Sequence, residues 1–286
     1  MKLASFESGG RESIGIVVGD ALIDFARAAP DLPSDMRDLI RIWPQVEQTV
    51  RALPSQVQAD VPLADVRLLA PVPRPQKILA IGLNYDDHVA ETGREKPQTQ
   101  TWFSKMPSAV NGPYDPVQLP KASSALDYEA ELVFIIGTRC RHVRKEDAAA
   151  VVFGYCAGND VSVRDWQFAT TQFVLGKSFD THAPFGPWIV TPDEVGDPHA
   201  LGIRCFVNGE TRQESNTRHL IFNVFDQIAW LSQAVTLEPG DVVYTGTPAG
   251  VGFAMKPPKF LQAGDVVRVE IDNIGALENR IEAERN

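Results

Sequence analysis

The chain has 286 residues, which at roughly 100–200 residues per domain means one large domain, or a large one with a small companion. Hydrophobic residues make up 44% and charged residues 22%, values that exclude collagen-like, coiled-coil and disordered classes. With 27 basic against 37 acidic residues the formal charge is −10, a field that repels phosphate backbones and anionic lipid. Neither nucleic acid nor a membrane is therefore an expected partner. A small anionic substrate would need a local positive site or a metal. The opening MKLASFESGG lacks the apolar core of a secretory signal, and the longest apolar runs are far too short to span a bilayer. Cys140, Cys156 and Cys205 form no C-x-x-C pair. The expectation is a cytoplasmic protein without disulfides.

Residues 1–70 read as a small leading unit of α+β type. The run Ile14 to Phe25 predicts two short strands about a Gly19-Asp20 turn. Helical segments follow near Met36–Trp43 and Val46–Leu53. Pro71-Val-Pro-Arg-Pro75 then forms a stiff break, and the domain boundary is placed there, with residues 71–286 as the second, catalytic unit. From Lys77 onward short β-branched runs dominate: Ile78–Leu83, Ala130–Gly137, Trp188–Thr191, Ile203–Val207, Asp241–Thr245 and Val266–Asp272. Asn208-Gly209 signals a hairpin, because both central positions of such a turn prefer positive φ. Leu220, Val224, Ile228, Leu231 and Val235 recur at helical spacing, and Pro239-Gly240 ends that pattern, so a helix is predicted over 220–235. Long helices do not alternate with the strands. A doubly wound sheet is disfavoured, and the expected class is α+β, mainly β.

The most informative segment is Asp127-Tyr-Glu-Ala-Glu-Leu-Val-Phe-Ile-Ile-Gly137. Residues two apart on a strand share a face, so Glu129 and Glu131 point the same way, followed by Val133 and Ile135. On spacing alone the pair is either an acidic strand start at a sheet edge, the plainer reading, or part of a cation site. Two like charges losing hydration together persist if a cation neutralises them or one takes a proton. A third acid, Asp160, sits in a turn after the apolar run Val151–Ala157. Three carboxylates without a His/Cys cluster suit Mg²⁺, Mn²⁺ or Ca²⁺ rather than structural Zn²⁺.

Four segments taken in order resemble the fumarylacetoacetate hydrolase family, bacterial acylpyruvase-like members in particular. They are Glu129-Ala-Glu131, Gly158-Asn-Asp160-Val-Ser-Val-Arg-Asp-Trp-Gln167, Gly176-Lys-Ser-Phe-Asp-Thr181 and Thr245-Gly-Thr-Pro-Ala-Gly-Val-Gly252, and the likeness extends equally to 2-hydroxyhepta-2,4-diene-1,7-dioate isomerase-like members. The resemblance runs from Lys77 to Glu284. It implies a mixed β-sandwich roll, a homodimer, and one Mg²⁺ or Mn²⁺ on Glu129, Glu131 and Asp160. It also implies substrates that are 2-oxo acids. The reactions implied are C–C hydrolysis of acylpyruvates, decarboxylation of oxaloacetate-like acids and tautomerisation of unsaturated 2-hydroxy diacids; fold-level likeness does not choose among them.

His88 and Glu91 are three residues apart, neighbours on a helical face. On spacing alone this is a surface ion pair; the family resemblance makes it a dyad in which Glu91 orients His88 as a general base. By the same resemblance Lys177 contacts substrate and stabilises developing negative charge. Arg164 and Gln167 line the pocket, Arg164 being suited to hold a carboxylate with two parallel bonds. Thr247 lies in a Gly/Thr-rich turn without the Gly-Lys-Ser/Thr ending of a nucleotide P-loop, and is expected to donate to a substrate oxygen. The expected activity is thus metal-dependent hydrolysis of a 2,4-dioxo acid. The alternatives are a decarboxylase or tautomerase on the same site, or a non-catalytic 2-oxo acid-binding protein. His142, His182, His199 and His219 are read as structural or exposed, Lys105 is given no role, and loops 93–102 and 253–260 are expected to shape the far end of the pocket.

Overall fold

The computed structural model describes residues 1–93 and 95–285. Its frame is a large, mainly antiparallel sheet. Across it run Val61–Pro62, Ala21–Asp24, Arg11–Val18, Lys2–Ser8, Ala183–Val190, Val152–Asn159, Ala130–Ile136, Val242–Tyr244, Ile78–Gly82 and Thr101–Lys105. A second sheet is formed by Glu210–Asn216, Gly202–Val207, Val266–Ile271, Gly275–Ala283 and Val117–Leu119. Across the Pro71–Pro75 break the leading and following segments share the large sheet, since Lys2–Ser8 pairs antiparallel with Ala183–Val190. The class is the expected one, α+β and mainly β.

The strand Ala130–Ile136 explains why the molecule has two layers. Every one of its residues is buried, and its alternation sends side chains into two different cores. Ala130, Leu132, Phe134 and Ile136 pack with Ile203, Cys205, Val267, Val269 and Leu277 of the second sheet. Val133 and Ile135 pack on the other face with Met36, Leu39, Ile40, Val50 and Leu53, the apolar stripes of helices Met36–Arg41 and Trp43–Gln56. Glu131 falls in the second series, on the Val133 face, as the alternation requires.

The predicted strands are all present within a few residues. The Asn208-Gly209 hairpin forms with φ of 53° and 81°, joining Gly202–Val207 to Glu210–Asn216. The helix predicted over 220–235 is shorter, Val224–Ala234. Asn223 caps it, accepting from the amides of Phe225 and Asp226 while Asp226 returns a bond to the Asn223 amide. That capping box overrides the apolar periodicity, and Leu220 instead bridges to Tyr85. Among the described residues no helix is long and apolar enough to cross a membrane, and all three cysteines are free.

Candidate active site

Glu129 immediately precedes the strand Ala130–Ile136 rather than lying on it, with its amide donating to Asn159 Oδ1 at 2.9 Å. Glu131 is the second residue of the strand, opposite Gly158. Asp160 follows the neighbouring strand Val152–Asn159. Antiparallel pairing therefore brings all three carboxyls to one end of two adjacent strands. One oxygen from each lies within 4.8 Å of the others, and the residues are 0–6% exposed. Two oxygens on one divalent ion at roughly 2.0–2.6 Å each lie at most about 5 Å apart, so the set fits a single hard cation.

The charges around the trio point the same way. Asp127, Glu129, Glu131 and Asp160 face three buried cations. Arg164 pairs with Asp127 at 2.8 Å and Glu129 at 2.6 Å. Lys177 bridges Glu129 and Asp160, each at 2.7 Å, and Lys105 holds the other Asp160 oxygen at 2.5 Å. Among the described residues Glu131 has no cation paired with it; its contact is the Gly246 amide at 2.6 Å. Burial, then the charges of Asp160 and Glu129, push its carboxyl well above the usual carboxylate range. Burial opposes ionisation of Glu129 too, but Lys177 and Arg164 outweigh it and hold that group at about 2. The cluster is thus one positive charge short, and a divalent ion would let Glu131 ionise.

The lysines differ for a reason visible in their contacts. Burial disfavours both ammonium groups. Lys177 faces two carboxylates and rises above its ordinary value. Lys105 has one carboxylate and feels the Lys177 charge, and it falls below. Lys105 ends the strand Thr101–Lys105; the stretch Phe103-Ser-Lys-Met106 resembles a pocket segment of the family, but a lone lysine there carries no spacing signal that assigns it a role. Asp127 was equally hidden. It accepts from Arg164 Nε and from the amides of Gly252 and Phe253 at 2.8 and 2.9 Å, tying the carboxylate strand to the Thr245–Gly252 turn. Only its two-residue offset from Glu129 could have marked it.

A cavity of about 310 Å³ opens over this cluster, lined by Glu129, Glu131, Arg164, Gln167, Lys177, Thr247, His88 and Glu91 among others. Asp160 is buried behind it at 0% exposure. The dyad residues sit on the helix Asp86–Thr92, with His88 Nδ1 3.2 Å from Glu91 Oε2. Glu91 Oε1 accepts from the Gly250 amide at 2.9 Å, which pins the helix to the Gly/Thr-rich turn. With Nδ1 donating to Glu91, Nε2 carries the lone pair. Gln167 accepts from Arg164 Nη1 at 2.9 Å, and Arg164 Nη2 is buried with no partner among the described residues. Thr247 reaches the cavity, but its hydroxyl donates to Ala130 O at 2.9 Å and accepts from Gln213 at 2.8 Å. Its one proton is committed to the backbone, so the expected donation to substrate is not what this arrangement offers. Gly246 in the same turn has φ +99°, and a Cβ there would lie 2.7 Å from Asn84 Cβ; glycine lets its amide face Glu131. Of the two loops expected to shape the far end, Phe253 and Ala254 line the cavity, and residue 94 of the other lies outside the described residues.

Of the two readings given to His182, structural or exposed, the buried one holds. The residue is 0% exposed, with Nε2 on Gln118 O at 2.8 Å, and burial pushes its pKa down to about 3.

Two packed sheets, a carboxylate-lined cavity and a His–Glu pair at its wall define a class: an α+β enzyme fold with an acidic active centre. The profile of the fumarylacetoacetate (FAA) hydrolase C-terminal family matches residues 77–282, and the chain belongs to that family. It is 44% identical over 287 residues to oxaloacetate tautomerase fahd2, mitochondrial, of Xenopus laevis, spanning 98% of this chain and 90% of that protein. Maleylpyruvate hydrolase from Sphingobium sp. SYK-6, solved with manganese(II) and pyruvate, superposes with a TM-score of 0.84 at 36% identity, all of both chains being covered. 5-carboxymethyl-2-hydroxymuconate delta-isomerase from Mycobacterium smegmatis superposes at 0.80 with 33% identity, again over both whole chains. Hydrolases and isomerases thus share this scaffold.

Proposed function

We propose that this chain is a divalent-cation-dependent tautomerase that interconverts the keto and enol forms of a 2-oxo acid, with oxaloacetate the first substrate to test. The observation that carries the reading is the His88–Glu91 pair set into the wall of the cavity that also exposes Glu129 and Glu131. The 44% identity to an oxaloacetate tautomerase over nearly the whole chain supports it. When bound by Glu129, Glu131 and Asp160, Mg²⁺ or Mn²⁺ would supply Lewis-acid polarisation of the 2-oxo group.

The protein's own groups do the rest. Arg164, which lines the cavity and whose Nη2 has no partner among the described residues, takes a substrate carboxylate oxygen. His88 Nε2, its ring oriented by Glu91, removes a proton from C3. The electrons of that C–H bond form the C2=C3 double bond, and the oxygen on C2 takes up a proton from solvent. Lys177, kept charged by its two carboxylates, disperses negative charge as it grows on that oxygen. The reverse sequence returns the keto form.

A second reading is favoured by the same pair. If His88 takes its proton from water instead of C3, the hydroxide formed attacks a distal carbonyl and an acylpyruvate is cleaved to pyruvate and an acid. The maleylpyruvate hydrolase likeness supports this route. The test uses Mg²⁺- or Mn²⁺-supplemented protein with oxaloacetate, following the ultraviolet absorbance of the enol, and with acetylpyruvate, following pyruvate release. Acceleration of enol decay, lost with chelator and reduced about 10²–10⁴-fold in His88→Ala, supports the tautomerase. Pyruvate release without accelerated tautomerisation replaces it by the hydrolase.

A further inference from the structure

The cavity has a charged floor and an aromatic mouth, and from this we infer that the enzyme acts on 2-oxo acids bearing a flat, uncharged tail, arylpyruvates foremost. The inference rests on the tautomerase reading and names its substrate class.

Four phenyl rings form a continuous wall. Phe103 meets Phe173 edge-on at 5.8 Å, Phe173 meets Phe168 at 6.3 Å, and Phe168 meets Phe253 at 5.2 Å. The ends of this chain of rings flank the two floor cations: Lys177 Nζ lies 5.1 Å from the Phe103 ring and Arg164 Cζ 5.9 Å from Phe253. Depth follows the same axis. Glu131 and Lys177 are 1–2% exposed, whereas Phe168 and Phe253 are 41% and 40% exposed. A 2-oxo acid whose carboxylate meets Arg164 and whose C2 oxygen meets Lys177 has this wall of rings beside it, against which its C3 substituent packs.

Two observations separate a flat tail from a second carboxylate. First, among the described lining residues the cations are Arg164 and Lys177, His88 aside, and both are already paired with carboxylates on the floor. The ring wall presents the negative faces and positive edges of its π-systems, with no further Lys or Arg among the described lining residues to pair with a distal carboxylate. Second, about 310 Å³ is the share of roughly ten waters at about 30 Å³ each, ample for an aryl ring beyond the three-carbon head. The chemistry is unchanged: a C3–H bond breaks, C2=C3 forms, and the oxygen on C2 gains a proton. An aryl group on C3 makes that proton more acidic and the enol conjugated.

The test is solvent-deuterium exchange at C3, followed by proton NMR, for phenylpyruvate and oxaloacetate with the Mg²⁺-supplemented protein. We expect catalysed exchange of both, with a lower KM for phenylpyruvate. In Phe168→Ala and Phe253→Ala, the ratio of kcat/KM for phenylpyruvate to that for oxaloacetate falls at least tenfold, while Phe168→Trp retains it; tenfold is 1.4 kcal/mol. A merely structural role would lower both substrates together and leave the ratio alone. Exchange of oxaloacetate without phenylpyruvate overturns this inference and spares the tautomerase. An unchanged ratio in both alanine variants also overturns it. Exchange of neither substrate overturns both.

Discussion

Replacing Arg164 by lysine keeps the charge and removes the fork. Arg164 is 4% exposed and reaches three acceptors from two nitrogens: Asp127 Oδ2 from Nε at 2.8 Å, and Glu129 Oε1 and Gln167 Oε1 from Nη1 at 2.6 and 2.9 Å. One ammonium cannot stand at both nitrogen positions. Asp127 keeps the amides of Tyr128, Gly252 and Phe253, so the lysine goes to Glu129 and the Asp127 pairing is lost. One charged hydrogen bond is worth about 1.5–3 kcal/mol, and weakening of the Gln167 contact adds to that. The expected loss is about 2–4 kcal/mol, read as a lowered urea midpoint in the metal-free protein. Arg164→Met leaves both carboxylates short of a partner and falls at or above the upper end, about 3–5 kcal/mol. Stability of Arg164→Lys within about 1 kcal/mol of the parent would show that charge alone, not the planar fork, holds the cluster.

Three further outcomes follow from the geometry. Saturating Mn²⁺ at about 100 times its Kd stabilises the protein by about 2.7 kcal/mol, roughly 5 °C or more in Tm; Glu131→Gln loses that shift, and its persistence in the variant would remove Glu131 from the ligand set. Gly246→Ala places a Cβ 2.7 Å from Asn84 Cβ at φ +99°, costing about 1–3 kcal/mol from overpacking and weakening Mn²⁺ affinity by shifting the amide on Glu131; calorimetry that finds affinity unchanged contradicts the second half. His182 is about 3 when folded and ordinary when unfolded, so between pH 6.5 and 3 the unfolded chain binds more protons. Its contribution is fully present above pH 6.5 and is lost as pH falls, on the order of 5 kcal/mol across the window. His182→Gln, which keeps a donor for Gln118 O, flattens that part of the pH–stability curve; a curve identical to the parent's would place the acid sensitivity elsewhere.

The class of fold, the strand positions and the Asn208-Gly209 hairpin were legible in the sequence because each rests on local rules, period-two alternation and turn preferences; the three carboxylates were singled out by residue type, and their joining in one site came only with the family resemblance. The i,i+3 spacing of His88 and Glu91 was likewise legible, although nothing local says that the pair faces a cavity rather than solvent. The rest required the folded chain. Strand pairing set Glu131 opposite Gly158 and put Asp160 beside it. Folding brought Lys105, 55 positions from Asp160, and Asp127, 37 from Arg164, into one ion lattice. It also committed the Thr247 proton to the backbone of Ala130. These outcomes depend on partners distant in the chain: a buried charge is tolerated only where an opposite charge arrives to meet it, and no periodicity encodes that arrival.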